Sequence, residues 1–290
     1  MTTWREYPFQ GAVAVLFDFG GVSHDLLTSK NSTVDLKQVE ERFGLRVVQC
    51  DIEKMMAAHA VEPSEVEAVA RRWEEDATDV AASAHEPVRE NARLFLALRE
   101  VLEREGARAA AINCHALPDH GLRLPCTAMV ELHRAGVLVA CEMDVNGLLS
   151  AMLLTHLAGR PAFMGNLLTG PDEGTVDISH CVAPPEMLAG LAGDELMDYH
   201  GRPEHATAAI ELPRQGEATL ARLAPDLERV HCGSGQIVGA HHEGNCRNSV
   251  TVSLPDTQAF VAKRLESHYA LVCGDVTDRL LRREGLEALR

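Results

Sequence analysis

Residues 137–168, VLVACEMDVNGLLSAMLLTHLAGRPAFMGNLL, decide how this chain is read, because they join a short apolar strand, a helix and a second strand. Leu148, Leu149, Met152, Leu153, His156 and Leu157 recur at helical spacing, Gly159 stands where a C-cap belongs and Pro161 follows just beyond. This pattern places Glu142 in the first turn of the helix and Asn166 at the exit of the next strand. In an α/β fold those two places converge on the crevice at the carboxyl ends of the strands, where ligands bind.

Upstream, GAVAVLFDF (11–19), LRVVQC (45–50) and ARAAAIN (107–113) are apolar runs of strand length. Between them lie helical stretches over 34–43, 63–80 and 87–104. Strands alternating with helices predict a doubly wound, mostly parallel sheet. After Gly159 the texture changes to short segments such as TVDISHCV, ATAAIEL, EATLARL, GQIVGA and NSVTVSL, several of period two, separated by Pro, Gly and Asp. These predict an antiparallel, barrel-like β region closed by a helix–strand–helix unit over 256–289. The expected organisation is an α/β domain over 1–159 and a β-rich α+β domain over 160–290.

The formal net charge of −16 and the lack of a Lys/Arg run argue against nucleic acid and anionic membrane as partners. A hydrophobic fraction of 46% befits a globular protein, and no apolar run approaches the ~18 residues of a membrane span. With no secretory leader pattern in the first thirty residues, a cytoplasmic location is expected. The eight cysteines are dispersed through strand-like contexts and read as reduced, mostly buried thiols. His231, Cys232, His241, His242 and Cys246 fit no finger or ribbon spacing for structural zinc.

Glu142 taken alone is a favourable first-turn acid, Asp144 an N-terminal turn stabiliser, Asn166 a turn residue and His268 a capping or packing histidine. The motifs raise the site reading. Residues 137–168, ISHCVAPPEM (178–187), GQIVGAHHEGNCRNSVTVSL (235–254) and SHYALVCGDV (267–276) together resemble the L-fucose isomerase family. DLKQVEERFG (35–44) and the spacing of Cys114, Pro125 and Cys126 fit less sharply.

The resemblance implies Mn²⁺, or another divalent ion such as Mg²⁺, held by Glu142, Asn166 and His268. Asn166 falls where the family has an Asp, 24 residues after Glu142. It also implies a polyhydroxy substrate, with a carboxylate moving a proton between adjacent carbons through an ene-diol. Glu142 and Asn166 then stand at the catalytic positions, Glu142 as a base whose pKa burial and metal charge bring near the working range, although an amide cannot accept a proton. His180, from a His-Cys pair, and Arg247, in NCRN, become substrate-binding candidates. The family's N-terminal domain has no counterpart in this sequence, so a homo-oligomer, or a partner subunit supplying the cover, is expected. A repurposed lyase or a non-catalytic subunit is an alternative reading.

A second resemblance competes. AVLFDFGGV (14–22) is similar to the nucleophile loop of haloacid dehalogenase-type hydrolases, with Asp18 as nucleophile, and GDVTD (274–278) mimics their acidic loop. Gly20 stands where such phosphatases need a second Asp, so Asp18 is expected to be structural.

Overall fold

Three apolar runs become the buried strands of a four-stranded parallel sheet, and a half-exposed fourth strand forms one edge. The computed structural model describes residues 11–19, 34–187, 194–244, 246–282 and 287–288. In chain order the first half forms β1 (Val13–Phe17), α1 (Leu36–Phe43), β2 (Arg46–Cys50), α2 (Ile52–Ala58), α3 (Pro63–Asp76), β3 (Asp79–Val80) and α4 (His85–Glu105). Then come β4 (Ala109–Ile112), a 3₁₀ turn (Cys114–His120), α5 (Cys126–Arg134), β5 (Leu138–Ala140) and α6 (Val145–Ala158). The sheet order is β2-β1-β4-β5, all parallel. The chain leaves β1 toward β2 and returns to β4 on the other side, and such a reversal opens a crevice at the strands' carboxyl ends.

The second half contributes β6 (Phe163–Thr169), β7 (Thr175–His180), β8 (Glu195–Tyr199), β9 (Arg202–Ala209), β10 (Gly216–Leu223), β11 (Arg229–His241) and β12 (Asn248–Ser253), then α7 (Thr257–Ala262), β13 (His268–Cys273), α8 (Thr277–Leu281) and β14 (Glu287–Ala288). Six of these close on themselves in the order β10-β13-β6-β7-β12-β11, with β11 returning to β10. Every pairing in this ring is antiparallel, so the barrel has no free edge. The long β11 serves both β10 and β12 by bending at a register shift between Ile237 and Gly239. Gly235 is required beside that bend, since a Cβ there would lie 2.3 Å from the Ser253 carbonyl oxygen. The α/β half and the antiparallel, barrel-like β half match the fold class read from the sequence.

Three local expectations give way. The helix expected over 63–80 ends at Asp76, because Ala77 turns extended (ψ 146°) and Thr78 donates to the Asp194 carbonyl from both N and Oγ1. Asp79–Val80 then pairs with β8 and, through it, β9 in a small three-stranded sheet. Among the described residues the closing helix covers Thr277–Leu281, and Glu287–Ala288, expected within it, pairs with β11 as a strand. Finally, α6 is not one-sided. All its residues except His156 and Ala158 are buried, because it lies between the parallel sheet and barrel strands β10 and β13. No helix among the described residues is long and apolar enough to cross a membrane.

Candidate active site

Glu142 lies just after β5, in a loop and not in the helix. Asp144 is the true N-cap, its side chain accepting from the Gly147 amide at 2.8 Å, so α6 starts only at Val145. Glu142 (φ 57°) and Met143 (φ 54°) are consecutive left-handed residues, a strained pair that folded surroundings must enforce. The Met143 amide donates to the carbonyl of Ile112, the last residue of β4, tying this loop to the carboxyl end of the neighbouring strand.

The Glu142 carboxylate is ringed by imidazoles. Its Oε1 lies 3.5 Å from His115 Nε2 and 3.7 Å from His180 Nε2, and its Oε2 lies 3.7 Å from His268 Nε2. His115 comes from the turn after β4, His180 ends β7 and His268 starts β13, so both halves of the chain contribute. His180 and His268 meet edge to face, their ring centroids 5.3 Å apart. Glu142, His180 and His268 are close enough to share one ion.

Asn166 sits in the middle of β6 and not at its exit, since β6 continues to Thr169 as a ribbon with β7. It pairs in register with both His268 and Ser179, and its Nδ2 donates to the Ser179 carbonyl at 3.4 Å. It still lines the same cavity, of about 230 Å³, as Glu142 and His180. Arg247 is turned to Asp198, donating from Nη2 to Oδ1 at 2.7 Å, and is not among the cavity-lining residues.

His268 is oriented by a completely buried set of charges. Its Nδ1 donates to Asp144 Oδ2 at 3.0 Å, and Arg222 of β10 donates to the same oxygen. Asp144, Arg222 and His268 are all no more than 1% exposed. In a neutral imidazole this bond keeps the one proton on Nδ1 and leaves Nε2 with a lone pair. That atom is buried, makes no hydrogen bond and faces Glu142. His180 Nδ1 is likewise buried without a partner. A histidine whose far nitrogen donates to a carboxylate while its near nitrogen is free has the usual arrangement of a metal ligand.

The titration behaviour corrects one expectation. Burial does push the Glu142 carboxyl upward, but hydrogen bonds from His115 and His180 and the charge of His268 outweigh it, holding Glu142 well below the usual carboxylate range. The expected pKa near the working range is therefore not found. Reciprocally, the Glu142 hydrogen bond and the neighbouring Cys114 raise His115 to about 9. For His180, burial opposes protonation, but the Glu142 hydrogen bond and charge prevail and raise it. Burial also opposes ionisation of Asp144, and Arg222 and His268 overcome it.

Reading by spacing missed most of the rest of the cavity wall. Cys114, Cys126, Cys141, Cys181 and Cys246, five of eight dispersed cysteines, line it together with Tyr199 at the end of β8 and His200 from the β8–β9 turn. All eight are free thiols, as expected. Cys141 hydrogen-bonds to Cys114, lowering Cys114 to about 6 against burial and raising itself. His115 was discoverable in principle, because it follows Cys114 at the end of a central parallel strand. Of the histidines and cysteines weighed for zinc, His231 bonds Tyr269 Oη, His241 bonds Asp177 and His242 bonds the Arg247 carbonyl, so only Cys246 joins a cluster.

Asp18 directly follows β1, its amide donating to the Cys50 carbonyl. Gly20 and Gly21 lie outside the described residues. Asp275 follows β13 and lines a different cavity with Glu217 and Ser234. Neither acid belongs to either of the two groups able to share an ion among the described residues.

The fold and cavity define a class: an α/β sheet and a closed β-barrel that jointly present a carboxylate and imidazoles in ligand geometry. No family model matches the chain. Among curated proteins it is similar to the sulfoquinovose isomerase of Alkalicoccus urumqiensis, 28% identical over 273 residues, which is 90% of this chain and 57% of that protein. It is 27% identical over 208 residues to that of Priestia aryabhattai (68% and 46%), and 25% identical over 211 residues to that of Clostridium sp. strain MSTE9 (65% and 44%). The chain thus spans about half the length of the curated relatives it matches. These relatives are sugar isomerases, the broad class to which the motifs pointed, but their name is sulfoquinovose isomerase and not L-fucose isomerase.

Proposed function

We propose that this chain carries the catalytic cavity of a divalent-metal-dependent sugar isomerase acting on a sugar of the sulfoquinovose kind. The observation that carries the reading is the convergence of Glu142, His180 and His268, with His268 held in its ligating tautomer by Asp144. Glu142, His180 and His268, with the neutral amide oxygen of Asn166, form a hard-to-borderline donor set suited to Mn²⁺, with Mg²⁺ as an alternative. The bound ion would supply Lewis-acid polarisation of the hydroxy-carbonyl group.

The protein's own part is proton transfer. Glu142 is the one carboxylate lining the cavity among the described residues, and it is ionised. It can take the proton from the carbon beside the carbonyl. His115, protonated and 3.5 Å away, is placed to exchange protons with Glu142 and the adjacent carbon or oxygen. An imidazole thereby does what Asn166, an amide, cannot do.

The test is incubation with Mn²⁺ and sulfoquinovose in D₂O, followed by nuclear magnetic resonance. Deuterium incorporation with ketose formation is expected, and Glu142→Gln should abolish both while weakening Mn²⁺ binding in calorimetry. Equal Mn²⁺ affinity in the wild type and a Glu142→Gln/His268→Gln double variant would refute the site. Asn166 in place of an acid favours, as second reading, a repurposed lyase, for which exchange without net isomerisation is the signature.

A further inference from the structure

A second convergence in the same cavity is independent of Glu142. Cys181 follows β7, Cys246 precedes β12, and His200 occupies the β8–β9 turn, yet their donor atoms all lie within 4.8 Å of one another. His200 Nε2 is 3.0 Å from Cys181 Sγ and 3.6 Å from Cys246 Sγ. Around a tetrahedral zinc, bond lengths of about 2.3 Å to sulfur and about 2.0 Å to nitrogen put neighbouring S and N donors roughly 3.6 Å apart. The three donors are thus already near the separation that one ion would impose.

The backbone holds each donor in place. The Cys181 carbonyl accepts from Thr207 Oγ1 at 2.5 Å and from Asn248 Nδ2 at 3.3 Å. His200 and Gly201 form a two-residue hairpin loop, with φ of 56° and 73°. A loop with both residues left-handed is ordinarily Asn-Gly, so a histidine at its first position calls for a reason beyond the turn. Its ring stacks on Tyr199 with centroids 3.8 Å apart and planes 9° from parallel, fixing the direction of the imidazole. Two inert thiols, one buried and one half-buried, would not require a strained, stacked histidine aimed between them.

We propose that Cys181, His200 and Cys246 form a second cation site, one that takes Zn²⁺ through two thiolates and an imidazole, with the fourth position open to the cavity. Binding converts two thiols and Zn²⁺ into a dithiolate complex and releases two protons to solvent. The two donor sets sort by softness: the carboxylate, imidazole and amide set around Glu142 suits Mn²⁺ or Mg²⁺, and the thiolate set suits zinc.

The test uses the full chain, reduced and metal-free, titrated with Co²⁺ as a coloured substitute for zinc. One equivalent should produce sulfur-to-cobalt charge-transfer absorption and the intense visible bands of a four-coordinate ion, and one equivalent of Zn²⁺ should erase them. Cys246→Ser should remove most of the charge-transfer band. His200→Asn suits the left-handed turn, so it should preserve the fold while weakening Co²⁺ binding more than about tenfold. Glu142→Gln should leave the band unchanged, which separates this site from the proposed isomerase centre. Absence of the band at stoichiometric Co²⁺, or a band that persists unaltered in Cys246→Ser, would overturn the assignment.

Discussion

Replacing Asp144 by Asn isolates the buried charges behind His268. Asp144 Oδ1 caps α6 through Gly147, and Oδ2 accepts from both Arg222 and His268. In Asp144→Asn the cap can survive on the remaining oxygen, but the new NH₂ must face two donors. Arg222, 1% exposed, loses the carboxylate it donates to, and breaking such a buried pair costs about 3–5 kcal/mol. At about 2–4 °C per kcal/mol for a chain of this order, the melting temperature should fall by about 6 °C or more. His268 loses the acceptor that keeps its Nε2 free, so Mn²⁺ affinity should drop by about 10–100-fold. The pH dependence has a defined sign: Asp144 is shifted below its unfolded pKa of about 3.9, so its stabilisation is complete above that value and lost as pH falls through the folded one. Urea denaturation at pH 7 and pH 3, with Mn²⁺ calorimetry, would show both effects. Adding Arg222→Met should recover part of the stability, by removing the buried charge that Asp144 had paired, without restoring metal affinity. The reasoning is refuted if Asp144→Asn unfolds within about 1 kcal/mol of the wild type and binds Mn²⁺ equally well.

Asn166→Asp adds a negative charge to the proposed donor set and should tighten Mn²⁺ binding by about tenfold, about 1.4 kcal/mol, while lowering turnover; unchanged affinity would place Asn166 outside the coordination shell. Asp18→Asn should leave metal-dependent activity intact, and an aspartyl-phosphate on Asp18 would instead favour the hydrolase resemblance. His133 in α5 is buried and pushed down to about 3 by burial, so it favours the folded state fully above its unfolded pKa of about 6.5 and progressively less as pH falls from there toward 3. Between pH 7 and 5 this costs about 2 kcal/mol, and His133→Leu should flatten the urea midpoint profile over that range; an unaltered slope would show that His133 is not the group responsible.

Much of the fold could be read in the sequence because strand and helix periods are local. Val13–Phe17 and Ala109–Ile112 are apolar throughout since both faces of a central parallel strand are covered, and Thr175–His180 and Asn248–Ser253 begin and end between turn residues. Glu142, Asn166, His180 and His268 were likewise visible, through motifs whose spacing survives in a linear string. Only the tertiary structure decided the rest. Closing the barrel sets the register that puts His268 opposite Asn166, and no local signal encodes a pairing between strands a hundred residues apart. Asp144 looked like an ordinary helix cap until Arg222 and His268, brought by β10 and β13, made it the buried acceptor that orients His268. Dispersed cysteines read one by one are small apolar residues. Five of them face one cavity because the α/β crevice and the barrel meet there, and that meeting depends on long-range packing instead of on any run of neighbouring residues.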